Sequence, residues 1–178
     1  MTTRVIVLLL FSNTWAFGQD NPYATLTYDS LVIYDFEYLD YSVNPRKRIL
    51  SIIDENGDLP NTIKKLVRLP SPEAQELSEK IGLQSSYGQL TAACFDPHFG
   101  MVYYENGKAK EFVTICLSCN FPRSSLNIPV RNQGGEKMDN GEMYYTKTGF
   151  SKAFRKYLNE IKIKYGFSAL MQKSDMFD

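Results

Sequence analysis

Residues 101–117 read MVYYENGKAKEFVTICL, and this stretch decides the fold. Residues 101–104 and 112–117 are runs of apolar, aromatic and β-branched side chains, which is typical of β-strands. Between the runs, Asn106-Gly107 is a strong signal for a two-residue hairpin loop, because both residues readily adopt positive φ. The stretch therefore predicts a pair of antiparallel strands.

The hairpin also predicts where two distant cysteines lie. A two-residue loop places Glu105 opposite Lys108, so the numbers of paired residues add up to 213. Continued along the hairpin, this register brings Cys94 opposite Cys119. Asp96-Pro97 must interrupt the pairing on the way, since proline has no N–H to donate.

The flanking sequence predicts further strands and three helices. Residues 24–43 alternate apolar and polar side chains and predict one or two strands, and residues 48–53 predict another. Apolar stripes at helical spacing predict a helix beginning at Asn61 with Ile63, Leu66 and Val67 on its buried side, and helices over 71–82 and 151–164. The fold class is therefore α+β: an antiparallel sheet of five or six strands, two short helices and a C-terminal amphipathic helix.

The C-terminal helix has one apolar side and one basic side. Phe154, Leu158 and Ile161 belong to the stripe that we expect to face the core. We expect the opposite side to be solvated, with its cations favoured near the C-terminal end of the helix. That side carries Lys152, Arg155, Lys156, Asn159 and Lys162.

The N-terminus has the pattern of a cleavable secretory signal. Arg4 precedes the apolar run 5–11, and Ala16 and Gly18 then satisfy the small-residue rule for cleavage before Gln19. The alternative is a buried N-terminal strand of the fold. The apolar run is too short to span a bilayer, which needs about 20 residues. Residues 1–18 are thus predicted to be a signal peptide, and the product to be secreted or periplasmic.

Composition bounds the remaining chain, residues 19–178. Removing 18 of 178 residues leaves 160, enough for one globular domain. Without Arg4 the chain has 19 basic and 20 acidic residues, a formal charge of −1. This balance argues against a nucleic-acid partner or a polybasic membrane contact. The 12 tyrosines instead suggest a recognition surface on the sheet for a protein or a glycan, together with the polar loop or hairpin tip at 130–142.

One set of residues could carry chemistry: Cys94, His98, Cys116 and Cys119. It contains every cysteine and the single histidine of the chain, spaced as Cys-x3-His and Cys-x2-Cys. Thiolates and a neutral imidazole are tetrahedral ligands of Zn²⁺, so zinc is the candidate cofactor.

The same residues allow other roles. In an oxidising compartment, Cys94–Cys119 or Cys116–Cys119 would form a disulfide, or the Cys-x-x-Cys segment would exchange disulfides. That segment follows a strand, whereas a low thiol pKa usually comes from a position at a helix N-terminus. A Cys94–His98 catalytic dyad would depend on the Asp96-Pro97 break to bring the two side chains together.

Two segments and a helix start resemble a known group of proteins. Cys94-Phe95-Asp96-Pro97, the Cys116-Leu117-Ser118-Cys119-Asn120 segment and Gly149-Phe150-Ser151-Lys152 are similar to motifs of small, uncharacterised bacterial proteins with signal peptides. Those proteins pair a C-F-x-P segment with a C-x-x-C-N segment across a hairpin. The resemblance covers about a third of the chain and implies export and pairing of the cysteine segments, but no reaction.

The chain shows no nucleophile elbow, P-loop or His-Glu-x-x-His motif. The leading hypothesis is therefore an exported binding or structural module without catalysis. The alternative is a zinc or thiol-disulfide site at the four residues above. A third hypothesis, an exported inhibitor or immunity-type partner, agrees with the size and charge of the chain.

Overall fold

The Asn106-Gly107 hairpin lies within a five-stranded antiparallel sheet. The structure is a computed structural model, and it describes residues 21–40, 44, 48–92, 95–137, 143–167 and 171, with backbone alone over 133–147. The predicted signal peptide lies outside these residues. The described strands and helices are β1 (Ser30–Phe36), β2 (Ile63–Arg68), α1 (Ser71–Ile81), β3 (Tyr87–Gln89), β4 (Phe99–Glu105), β5 (Lys108–Cys116), β6 (Phe121–Ser124), β7 (Asn132–Lys137), β8 (Met143–Lys147), β9 (Gly149–Phe150) and α2 (Lys152–Lys164).

The strand order confirms the α+β class. The main sheet runs β2-β1-β4-β5-β6, and the short pairs β3-β9 and β7-β8 stand apart from it. The described part of the predicted strand region 24–43 contributes β1, and β7 accounts for residues 132–137 of the region 130–142. No helix of the described residues is long and apolar enough to cross a membrane.

The hairpin turn is as predicted, but the register changes beyond it. Asn106 and Gly107 have φ of 53° and 74°, and Glu105 pairs with Lys108. A bulge follows, because Tyr103 pairs with Glu111 and Lys110 is the extra residue. Paired numbers then add up to 214, so the predicted opposition of Cys94 and Cys119 does not follow from the ladder. Cys94 itself lies outside the described residues.

Strands β1 and β4 are buried on both faces of the sheet. On the inner face, Leu31, Ile33, Met101 and Tyr103 belong to the larger core cluster, which also contains Leu77 of α1 and the α2 residues Phe154, Leu158 and Ile161. The helices therefore cover this face through the apolar stripes that the sequence predicts.

The outer face carries Val32, Tyr34, Phe36, Val102 and Tyr104, which form a second core cluster with Ile49, Ile52 and Ile53. The predicted strand at 48–53 is wrong, because in this region Arg48 alone makes an isolated bridge, to Leu39. The apolar residues cross the sheet as an irregular cover. Gly100 permits this, since a Cβ there would lie 2.7 Å from the Ile52 side chain.

The predicted helix from Asn61 is also wrong, because residues 63–68 form strand β2. Ile63, Leu66 and Val67 fit a helical stripe, but half-buried and exposed residues alternate along the segment with a period of two. Leu66, expected to be buried, is 59% exposed. Pairing with β1 makes this segment a strand, and the β-branched side chains of Ile63 and Val67 also favour a strand.

Helix α2 confirms the apolar stripe but corrects its basic side. Phe154, Leu158 and Ile161 are buried, and the Ser151 hydroxyl caps the helix by accepting the N–H of Phe154 at 3.3 Å. Arg155 and Lys162, however, are buried too. Sequence spacing places them on the polar side, whereas Lys162 packs against Phe99 of β4 and Phe167, and Arg155 donates to the Phe150 carbonyl at 3.0 Å.

Lys162 is a cation inside the core. Its side chain is fully buried, and the ammonium lies 4.1 Å from the ring centre of Phe99 and 5.0 Å from that of Phe167. Within the described residues its Nζ makes no hydrogen bond. Burial lowers the pKa of Lys162 to about 8, although the Asp35 carboxylate favours the charged form.

We expect Lys162→Met to stabilise the protein at pH 7. The unfolded lysine has a pKa of 10.5, so between pH 8 and 10.5 the unfolded chain binds more protons and stability rises with pH. Below pH 8 the full penalty applies, about 3 kcal/mol for a shift of this size, less the lost aromatic contacts. Urea unfolding from pH 7 to 10.5 should show a steeper gain of stability for the native chain than for Lys162→Met.

Lys156→Met is the matched control, because Lys156 lies on the same helix and is exposed. It should leave both the stability and its pH dependence nearly unchanged. Equal pH slopes for the native chain and Lys162→Met would contradict the assignment of a depressed lysine pKa.

Candidate functional site

The Cys-x-x-Cys segment forms a disulfide at a tight turn. Cys116 ends β5, Cys119 lies in the four-residue turn before β6, and the two are bonded with a Cα–Cα distance of 5.4 Å. This is the local pairing among the two that the sequence allows. Both cysteines are fully buried, whereas Ser118 between them is exposed.

The two sulfurs have different surroundings. Cys116 Sγ accepts the N–H of Cys119 at 3.2 Å and the N–H of Asp96 at 3.3 Å, and the Ser118 hydroxyl lies 3.4 Å away. Cys119 Sγ has the Ser118 hydroxyl at 3.8 Å. Since disulfide sulfurs have no proton to donate, the hydroxyl is the donor in these contacts.

His98 contacts strand β1 and Asp96 through its two ring nitrogens. Its Nδ1 lies 3.3 Å from the carbonyl of Phe36, and its Nε2 lies 3.3 Å from Asp96 Oδ1. The second contact is an ion pair when the imidazole is protonated, although it is not aligned as a hydrogen bond. Both ring nitrogens thus have oxygen neighbours, which orient the ring between β1 and the 95–98 segment.

The zinc site predicted at Cys94, His98, Cys116 and Cys119 stays a prediction. Within the described residues, no group of three or more His, Cys, Asp or Glu side chains is placed to hold a metal ion. Cys94 lies outside those residues, although its described neighbours reach the Cys-x-x-Cys turn: Ala92 donates its N–H to the Cys119 carbonyl at 3.0 Å. The bonded form of Cys116 and Cys119 would have to be reduced before both sulfurs could bind zinc.

Asn120 is the residue that sequence reasoning missed. It has φ of 53°, is fully buried, and its Nδ2 donates to the carbonyls of Leu90 at 3.1 Å and Phe150 at 2.9 Å. The signal in the sequence was an asparagine directly after the second cysteine, because asparagine tolerates positive φ. Through Asn120, the turn after β5 is tied to Leu90, which follows β3, and to β9.

Gly149 shows how closely these segments approach. A Cβ at Gly149 would lie 2.4 Å from the Asn120 carbonyl oxygen, which no real contact permits. The Cys-x-x-Cys-Asn and Gly-Phe-Ser-Lys motifs, distant in sequence, therefore meet at one buried junction. The contacts described at this junction are structural, because they join segments that are distant in the sequence.

A groove lies on the outer face of the sheet and is one of the open cavities of the described structure. It has a volume of about 450 Å³. It is lined by Asp29, Ser30, Val32, Tyr34, Leu66, Arg68, Tyr104 and Gly107.

The groove is lined by two tyrosines and by residues of the edge strand β2. Tyr34 and Tyr104 hydroxyls lie 2.6 Å apart, and burial, then this contact, raise the pKa of Tyr34 above its ordinary value. The hydroxyl therefore stays protonated at neutral pH. Leu66 and Arg68 border the groove on β2, and Asp29 accepts the N–H of Asn106 on the opposite side.

Tyr34 and Tyr104 line the groove, but Tyr34 is 3% exposed, and the predicted Tyr-rich recognition surface stays a prediction. The second predicted recognition element is the loop at 130–142. Its residues 132–137 form β7, which pairs with β8, and residues 138–142 lie outside the described residues. Comparison of the chain with protein-family models, with curated proteins and with solved structures finds no match.

We expect tryptic mapping of the non-reduced, alkylated protein to find the Cys116–Cys119 bond. Trypsin cuts after Lys110 and Arg123, so both cysteines stay in one peptide, residues 111–123, which should be two mass units lighter than its reduced form. Cys94 falls in the separate peptide 81–108. A mass corresponding to the two peptides joined would show that Cys94 takes one of the sulfurs and would contradict the local bond.

Asn120→Gly should destabilise the protein by about 1–3 kcal/mol, because glycine keeps the positive φ but leaves two carbonyls without their donors. Asn106→Gly is the matched control: Asn106 has the same φ of 53°, and its structural role is the turn. Denaturant unfolding should show a clear loss for Asn120→Gly and a change within about 0.5 kcal/mol for the control. Equal effects would show that the Asn120 amide does not hold the junction.

Proposed function

We propose that this protein is an exported binding module without catalysis, which captures an extended acidic segment of a partner protein along the free edge of β2. The observation that carries the proposal is the position of the groove directly beside that edge. Export rests on the signal-like pattern of residues 1–18.

The backbone of β2 offers hydrogen bonds to an added strand. Leu69 donates its N–H to the carbonyl of Leu31, and Val67 pairs with Ile33, so the alternate residues Leu66 and Arg68 direct their N–H and C=O groups away from β1. Within the described residues no strand pairs with this side of β2. An extended peptide can therefore join the sheet there by β-strand addition.

The side chains of the same two residues supply selectivity. Leu66 is 59% exposed and presents an apolar contact, while Arg68 has no ion pair among the described residues. Strand β2 also carries Lys64, which is paired with Glu37, and Lys65, which donates to the Gly166 carbonyl at 3.0 Å, so Arg68 is the cation of the strand that remains for a ligand among the described residues. Like charges disfavour pairing with a second copy of β2, and an acidic strand complements them.

The geometry favours a peptide over a glycan. Sugar binding by tyrosine uses an exposed ring face, whereas Tyr34 is 3% exposed and takes part through its hydroxyl. A strand edge, in contrast, provides main-chain bonds that any extended peptide can use.

We expect a fluorescent, acetylated peptide of alternating Glu and Val to bind, and the matched Lys and Val peptide not to bind, as measured by fluorescence anisotropy. Arg68→Gln should weaken binding about tenfold, the loss of one charge-assisted hydrogen bond. Leu66→Pro should abolish binding, because it removes an N–H that points to the ligand while leaving the bonds to β1 intact.

Ser124→Pro on β6 is the matched control, since its N–H likewise faces outward at the other edge of the sheet. It should leave the affinity unchanged. The proposal would be refuted if both peptides bound with equal affinity or if neither bound. It would also be refuted if a substitution in the groove changed the binding of glycans in a panel and not that of the peptide.

A further inference from the structure

Two tyrosine hydroxyls in the groove form an ordered pair of donors. The hydroxyls of Tyr34 and Tyr104 lie 2.6 Å apart, so one of them donates its proton to the other. Tyr34 is 3% exposed, and among the described residues the Tyr104 hydroxyl is its hydrogen-bond partner. Because a buried donor without an acceptor is costly, Tyr34 donates to Tyr104. Tyr104 is half-buried and lines the groove, so its own O–H is left to donate to a ligand there.

The strand register places Arg68 beside this pair. Val32 pairs with Arg68 on β2 and with Val102 on β4. Directly paired residues share a face of the sheet, and Val32 and Val102 belong to the outer core cluster together with both tyrosines. Burial raises the pKa of Tyr34 most, the contact with Tyr104 raises it further, and the positive charge of Arg68 opposes both. The guanidinium of Arg68 therefore acts electrostatically on the hydroxyl pair.

Charge is unevenly distributed in the groove. Arg68 is exposed, and its side chain has no ion pair or hydrogen bond among the described residues. Asp29 lines the groove on the side of the hairpin turn, where its carboxylate accepts the N–H of Asn106. An anion is therefore favoured between Arg68 and the Tyr104 hydroxyl and disfavoured beside Asp29.

We propose that Arg68 and Tyr104 bind the side-chain carboxylate of a glutamate in the captured segment, with Tyr34 as the positioning residue. One carboxylate oxygen accepts from the guanidinium and the other from the hydroxyl. This inference rests on the proposed function, since the captured segment supplies the carboxylate. An added strand lies about 4.8 Å outside β2, so its side chain must reach inwards over β2 to meet Tyr104. The additional methylene of glutamate favours this contact over the shorter side chain of aspartate.

The first experiment compares the peptide of alternating Glu and Val with a matched peptide of Asp and Val, which has the same charge, by fluorescence anisotropy. We expect the native protein to bind the Glu peptide about tenfold more tightly. Tyr104→Phe should remove this preference and leave the affinity for the Asp peptide unchanged, because the ring and the edge of β2 stay in place.

Tyr34→Phe tests the positioning role. It should reduce the preference for Glu about threefold, because the Tyr104 hydroxyl loses the donor that orients and polarises it. Tyr157→Phe is the matched control, since Tyr157 is a half-buried tyrosine on α2, outside the groove. It should leave the preference unchanged.

A second measurement uses a carboxylate without a peptide backbone. Glutarate is titrated into the protein carrying isotope-labelled tyrosine, and the ring signals are followed by NMR. We expect the signal of Tyr104, assigned by its loss in Tyr104→Phe, to shift and saturate. The shift should be lost in Arg68→Gln and kept in Tyr157→Phe.

The outcomes separate the carboxylate site from strand capture. Glutarate binding without peptide binding would support the carboxylate site and contradict strand capture. Equal affinity for the Glu and Asp peptides, or a preference that Tyr104→Phe leaves unchanged, would overturn the carboxylate site while strand capture stands. If neither glutarate nor any peptide bound, both proposals would be wrong.

Discussion

Burial of β1 and β4 on both faces is the constraint on which the rest of the structure depends. Because neither face of these two central strands is solvated, other parts of the chain must pack on both faces. The two faces are covered by different kinds of element. On the inner face, α1 and α2 present apolar stripes. On the outer face, an irregular segment contributes Ile49, Ile52 and Ile53. This outer cluster reaches β2 at Ile63, and the groove beside Tyr34 and Arg68 lies on the same face of the sheet.

The second constraint is the junction at Asn120, which joins segments that the sheet alone would leave separate. A single amide donates to the carbonyl of Leu90, which follows β3, and to that of Phe150 in β9. The disulfide next to it limits the conformations of the turn from which that amide projects. The motifs that stand out in the sequence therefore meet for a structural reason, and the open surface that suits a partner lies elsewhere, at the edge of β2.

The structure buries several basic side chains, although removing a cation from water costs free energy. Lys162, Arg131 and Arg155 are all nearly inaccessible to solvent. Arg131 donates to the carbonyl of Thr148 at 3.2 Å and lies near the rings of Phe121 and Tyr87. Aromatic rings lie beside Lys162 and Arg131, and a carbonyl accepts from Arg131. Sequence spacing cannot reveal this, because long basic side chains on the polar side of a helix look the same whether water or chain lies beyond them.

Local patterns by themselves determined the α+β class, the Asn106-Gly107 hairpin and the amphipathic helix α2, because turn chemistry and side-chain periodicity act over a few residues. They also singled out the cysteine segments, though not which sulfurs would bond. Tertiary structure decided what local patterns leave open: strand β2 in place of a helix, a bulge at Lys110, an irregular cover in place of a strand, and the role of Asn120. Each of these depends on a partner distant in the chain, whose pairing or packing outweighs a local preference of less than about 1 kcal/mol per residue.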